Sequence, residues 1–495
     1  MIKNIIYICR QLFQQMHPSI TIFIICIYFS LLFLIAYITS RKATNATFFL
    51  GNRKSPWFLV AFGMIGASLS GVTFISVPGD IGKDSFSYFQ VVLGYLLGYM
   101  VIAYFLLPLY YRLKLTSIYT YLEQRFGIVT YKTGASIFLI SRMIGASFRV
   151  LLSANVLQYT LFNSLNIPYW LTVILIILFI FAFTINGGIK TVVWTDTIQT
   201  TFMLASLIIC IVVIAGKLNF NFSEAFHAVN NSKLSKIFFM DDWKGKKFFL
   251  KQFLSGIFIT ITMTGLDQDM MQKNLSCKNI KDAKKNMFWF SITLVPVNLI
   301  FLVLGAMLYI FVAKTGMILP AHSDDLFPMI AMSSVMPSFF SIIFLIGLIS
   351  STYSSADSAL TALTTSFTLD ILNIKDRGEK IIARTRKIVH IIIAVSFVLL
   401  ILFFKALNNQ SVISNVLTAA GFTYGPLLGI YAFGLFTNYK LKDQHTPIVA
   451  VIAPVICFFL NKYSCILFNG YQFCYEILII NGLLTFIGLW TIREK

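Results

Sequence analysis

Long apolar segments, separated by short polar connections, recur along the whole chain. Residues 20–39, 167–184 and 388–404 are examples. Each contains about 17 residues or more, which lets a helix cross a hydrocarbon layer roughly 30 Å thick. A backbone in that layer must satisfy its own hydrogen bonds, and the segments lack the alternating period of barrel strands. The pattern therefore predicts an all-α bundle of membrane-spanning helices.

The apolar segments predict about 13 spans. We expect them at 19–39, 57–80, 86–110, 131–163, 168–185, 193–216, 248–266, 286–313, 336–371, 388–406, 414–436, 446–461 and 471–491. The fourth and ninth are long enough to tilt or to extend beyond the bilayer. Because the connections are too short for a soluble domain, the chain is predicted to be a single transmembrane domain.

Composition agrees with a membrane protein and narrows its partners. Hydrophobic residues make up 58% of the 495 positions and charged residues 12%, against about 25% charged residues in soluble domains. The net charge of +20 could suggest a nucleic-acid partner, but the Lys and Arg residues are dispersed between apolar segments. The seven cysteines form no Cys-x-x-Cys pair, so neither a metal site nor a disulfide framework is expected. The sequence contains no Gly-x-x-x-x-Gly-Lys-Ser/Thr phosphate-binding loop, so ATP is not expected as the energy source.

Charges in the connections predict the orientation. Basic residues follow each of the first, third, seventh and ninth spans, whereas residues 315–335 contain Asp324 and Asp325 but no Lys or Arg. Since basic connections stay in the cytoplasm, the chain is predicted to span a bacterial plasma (inner) membrane, with the N-terminus outside and the C-terminus in the cytoplasm. The connection 217–247 departs from this rule because it should be external yet carries several lysines. Residues 1–18 are interpreted as a short amphipathic lead-in rather than a signal peptide.

Small and hydroxyl-bearing residues interrupt the second segment. They are Gly63, Gly66, Ser68, Ser70, Gly71, Thr73 and Gly79. Each glycine costs about 1 kcal/mol relative to alanine inside a helix. One interpretation is close helix packing through small residues. The other is a broken helix whose freed carbonyl groups face an ion or a substrate, as in secondary transporters.

Hydroxyl groups are concentrated in the ninth segment. They belong to Ser350, Ser351, Thr352, Tyr353, Ser354, Ser355, Ser358 and Thr361. The Ser and Thr hydroxyls could simply bond back to their own helix. Asp357 favours a functional site, because burying a carboxylate in a span costs a few kcal/mol or more. Hydroxyl and carboxylate oxygens suit a hard cation, and no His or Cys cluster offers a softer site.

Three further charged residues leave alternatives open. Asp196, in the sixth segment, could contribute to a cation site or form a salt bridge with Lys190 or an arginine. Arg142 and Arg149 lie seven residues apart, close to two turns, and so share one helical face. They could pair with Asp196 or Asp357, or they could bind an anionic substrate in bidentate fashion.

Several motifs together resemble the sodium:solute symporter family, which includes sodium–glucose, proline and sialic acid cotransporters. They are Gly187-Gly188-x-Lys190 with Thr195-Asp196-x-x-Gln199, Asp267-Gln268 with Gln272, and Ser354-Ser355 through Thr368-Leu369-Asp370. The resemblance covers roughly spans two to eleven. It implies a leucine-transporter-type (LeuT-type) fold with an inverted repeat of five plus five helices. The halves would be about 57–216 and 248–436, with peripheral helices at 19–39, 446–461 and 471–491.

The resemblance also implies where ligands bind. The family's common sodium site would fall on Gly66, Leu69, Ser351, Ser354 and Ser355, where Gly66 and Ser351 replace a frequent alanine. A second sodium site, present in some members, would fall on Asp196, Ser354, Asp357 and Ser358. Here Asp357 replaces a hydroxyl residue, so its charge could tighten a second ion or admit a proton. Substrate contacts would fall on Thr73, Gln90, Arg149 and Gln268, with Arg142 as a further candidate.

The function implied is transport rather than catalysis. A symporter of this family would use one or two sodium ions to import a small solute through the lipid bilayer by alternating access. An arginine on the fourth span holds the substrate carboxylate in some acid-carrying relatives, which favours an anionic sugar or an organic acid. A neutral sugar comes next. The alternative is a membrane-embedded sensor that binds the same solute without net transport.

Overall fold

The computed structural model describes residues 18–41, 43–375, 377–407 and 412–494. The predicted lead-in at 1–18 therefore lies almost wholly outside the described residues. Long helices dominate the rest. We label them α1 (Pro18–Ser40), α2 (Trp57–Leu69), α3 (Gly71–Asp84), α4 (Tyr88–Val101), α5 (Ile128–Leu157), α6 (Tyr169–Lys217), α7 (Phe249–Thr260), α8 (Gln268–Leu275), α9 (Ile280–Thr315), α10 (Ser338–Ser366), α11 (Glu379–Leu407), α12 (Val412–Thr423), α13 (Gly425–Phe436), α14 (Thr446–Lys462) and α15 (Ile477–Thr491).

Shorter helical pieces extend or connect these elements. Segments of π-helix at Ile102–Leu106, Gln158–Phe162, Ile261–Gly265 and Phe367–Ile371 prolong α4, α5, α7 and α10. Short α-helices lie at Asn45–Leu50, Leu107–Arg112, Thr120–Arg125, Phe222–Asn230, Leu326–Ala331 and Ser464–Leu467. Single turns of 3-10 helix lie at Gly51–Arg53, Ser85–Ser87, Asn163–Leu165, Lys233–Ser235, Ser323–Asp325 and Asp443–His445.

The predicted spans all fall on helices. By length and hydropathy, eight helical stretches of the described residues could cross a membrane, or ten if each of two bent pairs counts as one span. The predicted fifth and sixth spans form the single helix α6, which is interrupted only at Gly188 (φ 53°, ψ −140°). The last span begins at Ile477 instead of 471. The reason is that the Gln472 amide donates to the Lys244 carbonyl and so belongs to a loop.

Several helices in the described part of the chain are broken; Val416–Thr423 and α13, for example, meet at an angle of 43°. At Ser70 the backbone leaves the helical region (φ 16°, ψ 174°), which separates α2 from α3. The interruption predicted in the second segment is therefore present. Further along the chain, Phe249–Gly265 and α8 meet at an angle of 64°. Each predicted half of the molecule thus begins with a broken helix.

Helix α10 forms the centre of the fold. It lies against α2, α3, α5 and α6, and its side chains from Leu348 to Ser366 are all buried. Hydroxyl and carboxyl groups on this helix must therefore face other helices instead of lipid. In contrast, most of the apolar surface of α1 and α14 is exposed on the outside of the bundle.

Candidate functional site

The break between α2 and α3 lies directly against α10. A Cβ atom on Gly66 would lie 3.1 Å from Ser354 Oγ, and one on Gly71 would lie 2.7 Å from Thr352 Oγ1. At Gly71 a Cβ atom would clash with this hydroxyl, and at Gly66 it would press against Ser354 and overlap Thr200 Oγ1 on α6. The last carbonyl groups of α2 have no partner further along their own helix, since the helix stops at Ser70. Free carbonyl oxygens and serine hydroxyls therefore meet at this point.

The five residues expected at the common sodium site divide between the two elements. Gly66 and Leu69 lie in the last turn of α2, and Ser351, Ser354 and Ser355 lie on α10; all five are buried. Ser351 and Ser355 donate their hydroxyl protons to carbonyls one turn earlier, at 2.9 and 3.0 Å. Their oxygen lone pairs remain available to a cation. Of the sodium ligands expected from the family motif, Gly66 on α2 and Ser354 on α10 are in direct contact.

Asp196 is paired with Lys273, a residue that the sequence interpretation overlooked. Lys273 Nζ lies 2.7 Å from Asp196 Oδ2, with side-chain exposures of 1% and 0%. Ser354 donates to Asp196 Oδ1 at 2.6 Å and Ser358 to Oδ2 at 3.3 Å. A salt bridge was one of the two alternatives for Asp196, and the structure contains one. Its partner is Lys273 and not Lys190 or an arginine, so the predicted partner was wrong. Lys273 is itself buried, although it is one of the basic residues that follow the seventh predicted span.

Asp357 has weaker contacts. The Ser358 hydroxyl approaches Asp357 Oδ1 at 3.3 Å and the Thr195 hydroxyl approaches Oδ2 at 3.5 Å. The side chain is fully buried. Among the described residues, no Lys or Arg nitrogen lies within ion-pair distance of Asp357. The residues expected at a second sodium site are thus together, but a lysine is among them.

The two arginines of α5 have different surroundings. Arg142 pairs closely with Asp269 and lies 3.9 Å from Asp267. Its expected pairing with Asp196 or Asp357 was wrong, because the acids that approach it come from the break between α7 and α8. Arg149, two turns away on the same face of α5, forms no ion pair with any residue that the structure describes.

A cavity of about 90 Å³ lies beside the break in α2 and α3. Residues 67–70, Thr73, Tyr88, Tyr95, Tyr99, Thr264 and Asn298 contribute to its wall, together with both arginines of α5. Of the residues expected to contact substrate, Thr73, Arg142 and Arg149 line this cavity. The three tyrosines and Asn298 were not foreseen, since a polar residue in a span has no local signature that shows which way it faces.

Gln90 and Gln268, which were also expected to contact substrate, do not line this cavity. Gln90 donates to the Lys247 carbonyl at 2.9 Å and accepts from the Phe239 amide at 3.2 Å. Gln268 accepts from the Ile118 amide and donates to the Thr116 carbonyl, each at 2.9 Å. Both amide side chains anchor loops, because loop backbones buried against helices need hydrogen-bond partners.

The two ends of the cavity differ. Tyr88 separates the cavity from a vestibule of about 670 Å³, and its hydroxyl lies 3.2 Å from that of Tyr95. Towards the opposite end, Tyr424 donates to Asp267 at 2.6 Å and Tyr119 donates to the Leu266 carbonyl at 2.9 Å. These bonds, with those of Gln268, close the end that is nearest the basic connections.

The broken helices, the oxygen cluster between α2 and α10 and the arginines in the wall of a small cavity define a secondary transporter with a LeuT-type fold. A model of the sodium:solute symporter family matches residues 48–442. The chain therefore belongs to the sodium:solute symporter family, as its motifs predicted, and is not an enzyme.

Individual relatives agree with this assignment. The sodium/sialic acid symporter SiaT of Proteus mirabilis (strain HI4320) is 22% identical over 439 residues, which cover 86% of each chain. The sodium-coupled monocarboxylate transporter 2 of Mus musculus is 25% identical over 424 residues, 81% of this chain and 65% of that one. The structure of a Na⁺-coupled sialic acid symporter in a substrate-bound outward-open state superposes with a TM-score of 0.82. It has 19% identity and covers 96% of this chain and 99% of that chain.

Proposed function

We propose that this protein is a sodium-coupled symporter that imports a small organic anion, an anionic sugar or an organic acid, by alternating access. The observation that carries the proposal is Arg149, a cation without an ion-pair partner among the described residues, in the wall of a cavity beside the oxygen cluster. A guanidinium without an ion pair inside the bundle favours a negative partner, and a carboxylate fits its fork in bidentate fashion.

The proposed sodium ion binds between α2 and α10. The carbonyl oxygens of Gly66, Leu69 and Ser351 and the hydroxyl oxygens of Ser354 and Ser355 are the ligands. Five oxygens without formal charge suit a hard monovalent cation better than a transition metal. Because these ligands come from two separate elements, bound sodium joins the broken helix to α10 and stabilises one arrangement of the cavity.

The relatives support an organic anion as the solute. SiaT is named for sialic acids, which are carboxylated sugars, and the mouse relative is named for monocarboxylates. The cavity of about 90 Å³ is smaller than the roughly 300 Å³ of the smallest usual ligand pockets. A short organic acid therefore needs less rearrangement of Tyr88 and Tyr95 than a large anionic sugar does.

Alternating access is supported by the asymmetry of the two ends. The vestibule beyond Tyr88 is open, whereas tyrosine and glutamine hydrogen bonds close the end near the basic connections. Under the positive-inside rule that closed end faces the cytoplasm, the N-terminus lies outside and the vestibule faces outward. Sodium and solute would enter from the vestibule, and the closed end would open to release both.

Uptake into sealed proteoliposomes tests the proposal. Radiolabelled sialic acids, monocarboxylates and neutral sugars should be compared with sodium and with potassium outside, after a thermal-shift screen has ranked them. We expect concentrative uptake of an organic anion that requires sodium and disappears in Arg149→Gln. Saturable binding without accumulation would instead indicate a sensor. Preferential uptake of a neutral sugar would refute the assignment of Arg149.

A further inference from the structure

We infer that the Lys273 ammonium is a built-in cation that replaces a second sodium ion, so that the protein couples transport to a single sodium ion. This inference rests on the proposed sodium symport and deepens it. The supporting observation is the set of contacts around Asp196, where the family motif led us to expect a second sodium ion.

The carboxylate of Asp196 already has two close donors and shares a third with Asp357. Lys273 Nζ lies 2.7 Å from Oδ2 and Ser354 donates to Oδ1 at 2.6 Å, while the Ser358 hydroxyl lies 3.3 Å from both Asp196 Oδ2 and Asp357 Oδ1. A sodium ion bound to this carboxylate would have to displace the ammonium or lie beside it. Displacement would leave a fully buried ammonium without its anion, which is strongly unfavourable.

Lys273 is held in this position by its own helix. It lies on α8, the second half of the broken helix that begins with α7. Gln272 fixes α8 from the adjacent position, since its amide donates to the Phe49 carbonyl at 2.7 Å and to the Thr365 hydroxyl at 3.0 Å. Ser276 donates to the Lys273 carbonyl at 2.7 Å. These bonds hold α8 in place and thereby keep the Lys273 ammonium within the cluster.

The charges of the cluster balance with one sodium ion. Asp196 and Asp357 contribute two negative charges and Lys273 one positive charge, all on fully or almost fully buried side chains. The nearby Asp267 and Asp269 lie against a separate cation, Arg142. One sodium ion at Ser354 and Ser355, within three residues of Asp357, balances the charges of Asp196, Asp357 and Lys273. A second sodium ion would add a positive charge that these three side chains do not compensate, which is unfavourable in a buried site.

Asp357 thereby acquires a role as well. The common sodium site consists of carbonyl and hydroxyl oxygens, which carry no formal charge. Asp357 supplies a counter-charge next to this site, while Lys273 compensates Asp196. A serine at position 357 would remove that counter-charge and leave sodium held by dipoles alone. Sodium affinity should then fall in Asp357→Ser without any change in the number of ions.

The test is the sodium stoichiometry in proteoliposomes, measured as the Hill coefficient of sodium activation and as the ratio of ²²Na⁺ to solute flux. For the wild-type protein we expect both values to be about 1. In Lys273→Met, which keeps the length of the side chain, Asp196 loses its cation and both values should rise towards about 2. In Lys273→Met/Asp196→Asn they should return to about 1. Lys285→Met, on the exposed face of α9, is the matched control.

Each outcome decides the inference. A wild-type ratio of about 2, or an unchanged ratio in a folded Lys273→Met protein, would overturn it. If the single variant fails to fold, recovery of folding in the double variant supports the pairing and its ratio still gives the stoichiometry. If the double variant also fails to fold, the wild-type flux ratio decides alone. Uptake that does not depend on sodium at all would refute the proposed symport rather than the role of Lys273.

Discussion

Gly66 and Ser354 approach so closely that a Cβ atom on the glycine would lie 3.1 Å from the serine hydroxyl oxygen. This contact joins the last turn of α2 to the middle of α10, two elements far apart in the sequence. Because one side supplies free carbonyls and the other hydroxyls, the contact creates the oxygen cluster on which the proposed sodium site depends.

We predict that Gly66→Ala weakens sodium activation and lowers thermal stability. The added methyl group would overlap Thr200 Oγ1, and overpacking of this kind costs about 1–3 kcal/mol. Removing the hydroxyl in Gly66→Ala/Thr200→Ala should restore most of the loss, as thermal unfolding in detergent would show. Gly145→Ala is the control, because no atom lies within 4 Å of its Cβ position. Equal effects of the two alanine substitutions would contradict the close packing of neighbouring helices around Gly66.

Ser355→Ala should raise the half-saturating sodium concentration of uptake by about 10-fold or more, since a hydrogen-bond-like contact to a charged group contributes roughly 1.5–3 kcal/mol. The variant should fold and insert normally. Ser396→Ala is a matched control, because both hydroxyls donate to a carbonyl of their own helix, at 2.9 and 3.0 Å. Unchanged sodium dependence in Ser355→Ala would remove this residue from the site.

The two arginines of α5 should give opposite phenotypes. Arg149→Gln should abolish measurable binding of the organic anion and leave ²²Na⁺ binding and thermal stability near those of the wild type. Arg142→Gln should instead destabilise the protein by about 3–5 kcal/mol, because it leaves Asp267 and Asp269 buried without a cation. Solute binding, sodium binding and thermal unfolding of both variants would show this. A stable Arg142→Gln protein that has lost only solute affinity would reverse the two roles.

Tyr424→Phe should open the closed end of the cavity. The tyrosine hydroxyl donates to Asp267 at 2.6 Å, and losing a bond to a charged group shifts the equilibrium by about 1.5–3 kcal/mol. Thr264→Cys, in the cavity wall, reports the change in a background without other cysteines. Its labelling by an impermeant thiol reagent from the cytoplasmic side should accelerate about 10-fold or more. Tyr159→Phe, an exposed tyrosine, should have no effect.

Features encoded within one segment could be predicted from the sequence. The interruption at Ser70 follows from glycines and serines in one span, and the burial of the α10 hydroxyls follows from their density in an apolar helix. Family membership could be predicted for the same reason, because the family's motifs are short local strings in a fixed order. The match of the family model to residues 48–442 confirmed it.

Features that depend on distant pairings could not be predicted. Lys273 and Asp196 are 77 positions apart, and a lysine just after a span looks like any cytoplasmic charge. Arg142 and Arg149 share a helical face, yet only the position of the second broken helix decides which of them meets acids. Gln90 and Gln268 likewise bond to loop backbones whose course the sequence does not show.

Equilibrium binding of ²²Na⁺ to the purified protein tests the central claim most directly. We predict saturable binding that potassium does not displace, that the transported anion strengthens, and that Ser354→Ala and Ser355→Ala each weaken strongly. Absence of saturable binding, or binding that both substitutions leave unchanged, would contradict a sodium site between α2 and α10.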